Sequence, residues 1–148
     1  MRQALDMKFV TKSPEQTEKL GEDFAKNLKP QDVVFLIGNL GSGKTTFTKG
    51  IARGLGIKNR ILSPTFIVVR SHSTANERIQ TLYHLDLYRL KDEGEVLNVS
   101  LTDYMNDEKG IVVIEWPEVS QEIVKKNAWK VKFETKDDER SIEILENV

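Results

Sequence analysis

Residues 38–45 read Gly-Asn-Leu-Gly-Ser-Gly-Lys-Thr, and no other stretch restricts the fold of this chain as much. The stretch fits G-x-x-x-x-G-K-[ST] without a gap. Before it runs Asp-Val-Val-Phe-Leu-Ile (32–37), a nearly continuous apolar segment of strand length. Such segments suit a strand buried on both faces, as in a parallel sheet covered by helices. After it a helical stretch runs from Lys44 to about Gly54. Glycines let the backbone take positive φ and approach a ligand with no Cβ between them. Successive N–H groups then point inward as an anion nest, and the start of the helix adds its positive dipole end. The pattern therefore predicts a nucleotide cradle formed by Asn39, Leu40, Gly41, Ser42, Gly43, Lys44, Thr45 and Thr46. Lys44 would meet the terminal phosphates, the Thr45 hydroxyl a magnesium ion, and Thr46 an inner phosphate. Its expected chance count in such a chain is on the order of 0.005 at average residue usage.

Composition narrows the rest. A length of 148 residues is one domain's worth. Lysine and arginine total 22 and aspartate and glutamate 23, a formal net charge of −1. That balance lacks the positive field of a general nucleic-acid binder, so direct RNA contact would need a local patch. With 39% hydrophobic residues the chain can build a core. The absence of cysteine excludes disulfides, thiolate zinc sites and cysteine nucleophiles. Two histidines, His72 and His84, leave little for a histidine metal site. Residues 1–10 carry no apolar core of signal-peptide length. The longest apolar runs, 33–37 and 111–114, fall far short of the ~20 residues of a membrane span. A cytoplasmic protein without membrane contact is the expectation.

Around the motif the chain reads as α/β. Residues 7–11 suit a short strand. Ser13 suits a helix N-cap with Pro14 at the first helical position, and Leu20, Phe24 and Leu28 recur on one helical face before Pro30. Residues 66–69 and 79–86 are strand candidates, with 71–78 as the loop of a hairpin between them. Residues 91–104 suit one or two short helices, and Ile-Val-Val-Ile (111–114) a buried central strand. Trp129, Val131 and Phe133, then Ile142 and Ile144, alternate with polar neighbours, the pattern of a half-exposed antiparallel hairpin with its tip at 136–139. The expected fold is a P-loop NTPase-like three-layer arrangement in a single domain. Its mixed sheet has central parallel strands and antiparallel additions. Strand order is not readable from these patterns.

Two carboxylates stand where phosphate chemistry needs them. Glu115 follows residues 111–114 directly and would emerge at the carboxyl edge of the sheet, where ligands sit in doubly wound folds. It is the candidate for the magnesium side. Asp86 ends the 79–86 strand and either orients or deprotonates a water, or is a turn residue bonding its own backbone. Thr65, in Ser63-Pro64-Thr65-Phe66, falls where a switch segment would sense the γ-phosphate, or in a plain proline turn. Trp116 either shields the site or fills space, His84 reads first as a satisfied structural histidine, and Arg89 pairs with phosphate or with a carboxylate.

The blocks at 38–46, Ser63-Pro64-Thr65-Phe66, His84-Leu85-Asp86-Leu87-Tyr88-Arg89-Leu90 and Ile114-Glu115-Trp116-Pro117, in that order, resemble the bacterial TsaE (YjeE) family. The resemblance spans roughly residues 13–117. It implies an ATPase, weak alone, of tRNA threonylcarbamoyladenosine biosynthesis. Such a protein acts with a TsaB–TsaD assembly that modifies adenosine 37 of tRNAs reading codons that begin with A. Any contact of this subunit with tRNA would be indirect or weak. The resemblance implies that Thr45 and Glu115 hold magnesium, Lys44 meets the phosphates and Asp86 activates water. It also puts Thr65 in the switch-like loop and residues 13–17 near the adenine. Ser100 stands where members often have glycine.

Other functions remain in view. A small-molecule P-loop kinase usually closes an arginine-rich lid over the phosphates, and here Arg53, Arg60, Arg70 and Arg78 are scattered. A GTPase lacks its Asn-Lys-x-Asp guanine motif. A nucleotide-stabilised scaffold without turnover would need neither Asp86 nor Glu115.

Overall fold

The computed structural model describes residues 6–58, 61, 69–88, 101–120, 123 and 127–146. The described elements are β1 (Asp6–Thr11), α1 (Pro14–Ala25), β2 (Val33–Ile37), α2 (Lys44–Gly54), β3 (Val69–Ser73), β4 (Thr81–Asp86), α3 (Leu101–Met105), β5 (Gly110–Glu115), β6 (Trp129–Lys136) and β7 (Glu139–Leu145). A 3-10 turn, Pro117–Val119, follows β5.

Seven strands form a mixed sheet in the order β1-β7-β6-β2-β5-β4-β3. The central pairings β6–β2, β2–β5 and β5–β4 are parallel. Antiparallel hairpins extend the sheet on both sides: β3 against β4, and β7 between β6 and β1. The continuous apolar runs of β2 and β5 fall at the centre because both their faces are covered. Val34 and Leu36, with Leu82, Ile111, Val113 and Val131, pack toward Phe24, Phe47 and Ile51 of α1 and α2. Phe35, Leu85, Val112 and Ile114 form a second cluster, against which Leu101, Tyr104 and Met105 of α3 pack. Burying each such side chain contributes roughly 1.5–3 kcal/mol. The result is the expected α/β, helix–sheet–helix arrangement.

The Ser13 hydroxyl accepts from the Gln16 amide at 3.2 Å and caps α1, while the Gln16 side chain accepts from the Lys12 amide at 2.7 Å. The helix ends at Ala25, so Leu28 lies beyond the helical face expected for it. The amides of Asn27 and Leu28 bond to Phe24 and Ala25, tightening the chain into turns that still bury Leu28. α1 packs on α2 at backbone distance. A Cβ on Gly50 would overlap the Glu18 carbonyl, and one on Gly21 would overlap that of Phe47.

Residues 71–73, expected in a polar loop, belong to β3. This strand lies at the sheet edge, where polar side chains meet solvent, so polarity there marks exposure and not a turn. The expected strand residues 66–68 and the helical segment 91–100 lie outside the described residues. Among the described residues no helix is long and apolar enough to cross a membrane.

Candidate functional site

β2 delivers the chain to the glycine-rich loop. Gly38 sits tightly there: a Cβ would meet Ser42 Oγ at 2.8 Å and Phe133 Cβ at 2.9 Å. Gly41 and Gly43 take φ of 75° and 106°, which L side chains rarely adopt, and the loop turns directly into α2 with Gly43 as its N-cap. The first backbone bond of α2 runs from the Phe47 amide to the Gly43 carbonyl at 2.9 Å. The amides of the preceding turn thus stay outside the helical ladder, as at every helix start.

β4 and β5 end beside this loop. Asp86 and Glu115 are register partners across the parallel β4–β5 ladder, at the carboxyl ends of both strands. Both are buried, at 7% and 3% exposure. Asp86 Oδ1 accepts from the Tyr88 amide at 2.9 Å. So Asp86 makes the backbone turn expected of it under one reading and faces the site expected under the other. Burial raises its carboxyl above the ordinary 3.8. The Tyr88 amide opposes that, Glu115 adds to it, and His84 and Lys44 pull it down. Glu115 Oε2 lies 2.6 Å from Nε2 of His84, which is fully buried.

Lys44, at 4% exposure, donates to the Gly38 carbonyl at 2.7 Å. Its ammonium also sits 3.7 Å from the centroid of the Trp116 ring, a cation–π contact. Burial lowers its pKa from the ordinary 10.5, while Glu115, Glu118 and Asp86 raise it. Trp116 reaches the lysine from a left-handed backbone, φ 60°, and its ring also lies 4.9 Å from that of Tyr88 between centroids.

These groups surround a cavity of about 570 Å³. Leu40, Gly41, Gly43, Lys44, Thr45 and Thr46 line it together with Asp86, Glu115 and Trp116. Asn39 and Ser42 are in the loop but not in the wall: the Asn39 carbonyl accepts the Ser42 amide at 3.1 Å, and Ser42 is buried. Thr65 lies outside the described residues. Ser13, Pro14 and Thr17 also line the cavity. Asp138 and Arg140 also reach the wall from the β6–β7 hairpin, and Arg140 donates to the Gly41 carbonyl at 3.3 Å. No local signal marked Arg140, about 100 positions from Gly41. From sequence His84 reads first as a structural histidine, although strand alternation puts it on the same face as Asp86.

Thr45 and Glu115 bring a hydroxyl and a carboxylate to one cavity, a hard oxygen donor set suited to magnesium, which keeps water and phosphate oxygens as its other ligands. No group of three or more His, Cys, Asp or Glu side chains among the described residues forms a protein-only metal cage.

The family described as threonylcarbamoyl adenosine biosynthesis protein TsaE matches residues 11–142, a range that includes the whole cavity wall. The chain belongs to the TsaE family. Among TsaE relatives, the tRNA threonylcarbamoyladenosine biosynthesis protein TsaE of Bacillus subtilis is 38% identical over 137 residues, 92% of this chain and 83% of that protein. The protein of the same name from Rickettsia felis is 34% identical over 135 residues, 90% of this chain and 76% of that protein. The crystal structure of Bacillus subtilis YdiB superposes with a TM-score of 0.77 at 29% identity. It covers 100% of this chain and 90% of its own, which supports for this TsaE member the mixed sheet with central parallel strands.

Proposed function

We propose that this chain is a single-domain, magnesium-dependent ATPase serving as an accessory subunit in threonylcarbamoylation of tRNA adenosine 37, together with TsaB and TsaD. The observation that carries the reading is the convergence of Lys44, Thr45, Asp86 and Glu115 on one cavity at the carboxyl edge of the sheet. The names of the relatives supply the process. TsaB, TsaD and the ATP requirement follow the family resemblance.

The loop amides and the start of α2 would hold the phosphate chain, and Lys44 would turn from the Gly38 carbonyl to the terminal phosphates. Thr45 and Glu115 would hold magnesium, which would supply positive charge to the phosphate chain. Asp86 would orient the attacking water and accept its proton as the new P–O bond forms. The bond to the β-phosphate then breaks, and ADP leaves with its electron pair. A carboxyl whose pKa is raised by burial accepts a proton more readily than a solvated one. Trp116 and Tyr88 would keep bulk water from the reacting phosphate.

The test is reconstitution with TsaB, TsaD, tRNA and a donor of the threonylcarbamoyl group. Multiple rounds of modification that require both this chain and hydrolysable ATP are expected. Unchanged modification by Asp86→Ala and Glu115→Ala variants would favour a scaffold without turnover. Label from γ-labelled ATP on a metabolite in place of inorganic phosphate would favour a kinase.

A further inference from the structure

Glu115, the carboxylate assigned above to magnesium, has one hydrogen-bonding side chain among the described residues. His84 sits on β4 opposite Val113, two residues before Glu115 on β5, so both side chains leave the same face of the sheet. Their Nε2–Oε2 separation is 2.6 Å, and His84 is 0% exposed. No other hydrogen bond among the described residues reaches the Glu115 carboxylate. Its register neighbour is Asp86, a second carboxylate, which would push Glu115 away. Among the described residues the buried His84 Nδ1 atom has no hydrogen-bond partner, and the ring's hydrogen bond is the one to Glu115.

We infer that His84 is a positioning residue for the metal. Its Nε2–H fixes one oxygen of Glu115 against Asp86 repulsion and leaves the other aimed at the cavity for magnesium. Groups that orient a ligating carboxylate typically control metal affinity by about 10–100-fold. The inference rests on the proposed nucleotide–magnesium reading.

Manganese, read by electron paramagnetic resonance, serves as the metal probe, with the intact chain and a non-hydrolysable ATP analogue. Glutamine places an N–H near the position of Nε2, whereas asparagine is too short to do so. His84→Asn is expected to weaken manganese binding to the nucleotide complex by about 10–100-fold. His84→Gln is expected to restore most of it. Nucleotide affinity measured in chelator should stay within about twofold in both variants. If His84→Asn does not fold, His84→Met, which also lacks the donor, replaces it in the comparison. Manganese affinity equal to wild type in the donor-less variant overturns the role of His84 alone, as does an equal loss of metal-free nucleotide affinity, which marks a structural role. A wild-type chain that holds neither nucleotide nor manganese overturns the nucleotide reading and this inference together.

Discussion

Lys44 and Asp86 divide the proposed chemistry between them. Lys44 stacks on Trp116 and bonds to Gly38, a cation positioned beside a phosphate cradle. Lys44→Ala is expected to cut ATP turnover by at least about 100-fold, the scale on which a site loses its main charge stabiliser. Steady-state phosphate release checks this, and wild-type turnover in that variant would remove the assignment. Asp86→Ala should keep nucleotide affinity within a few-fold and slow single-turnover hydrolysis by about 10²–10⁴, the range of a lost general base. Comparable losses in both would make Asp86 a turn residue only. At this scale the sequence was legible wherever chemistry is local. The run 38–45 and the strand-ending Asp86 and Glu115 account for seven of the sixteen residues that line the cavity. The His84–Glu115 contact, the ring of Trp116 over Lys44 and the reach of Arg140 to Gly41 all depend on which strands lie side by side, and composition does not encode that.

Among the elements, α1 and α2 hold the loop in place by close approach. Replacing Gly50 by alanine ordinarily gains helix propensity of up to about 1 kcal/mol. Here the added methyl would strike the Glu18 carbonyl and lie 2.8 Å from the Glu22 nitrogen, both backbone atoms that cannot swing aside. Gly50→Ala is expected to destabilise the fold by about 1–3 kcal/mol, the cost of overpacking, read from urea unfolding. A neutral or stabilising change would mean that the helices separate freely. At the other side of the sheet, Tyr83 donates to Asp107 at 2.6 Å and ties β4 to the turn before β5. The bond holds the Asp107 carboxyl below its ordinary 3.8 and the Tyr83 phenol above its ordinary 10.0. A depressed carboxylate contributes stability above its unfolded value and loses it as the pH falls through the folded one. A raised phenol contributes below its unfolded value and loses it as the pH rises through the folded one. Tyr83→Phe should therefore lose at most about 1 kcal/mol, a small sum because the carboxylate is near solvent. The deficit should form a plateau between pH 3.8 and 10.0 and shrink on either side. Unfolding midpoints across that range decide it, and a deficit that keeps growing into acid would contradict it. Element types followed from periodicity for β2, β5, β6 and β7. The limits of β3 did not, because an edge strand with polar side chains looks like a loop in one dimension.

For the whole molecule, nucleotide and fold are expected to be coupled by mass action. ATP with magnesium at 100 times its dissociation constant should add about 2.7 kcal/mol to unfolding stability. Calorimetry in the two nucleotides should separate ATP from GTP, and stronger stabilisation by GTP would overturn the assigned base preference. The mixed sheet and central parallel strands were legible as a class, since runs apolar on both faces require covering helices. Strand order was not, because it is fixed by contacts between segments far apart in the chain.

The cavity also has a history during translation. Its loop, 38–46, is made early, but Asp138 and Arg140 arrive only with the β6–β7 hairpin, which also supplies the neighbour on one side of β2. A nascent chain halted before Trp129 would carry every residue assigned to catalysis. It would still display β2 as a bare ribbon of unpaired amides and carbonyls along that side. Such a product is expected to be captured by chaperones or to clump, so that the complete cavity wall forms only once the β6–β7 hairpin has been synthesised.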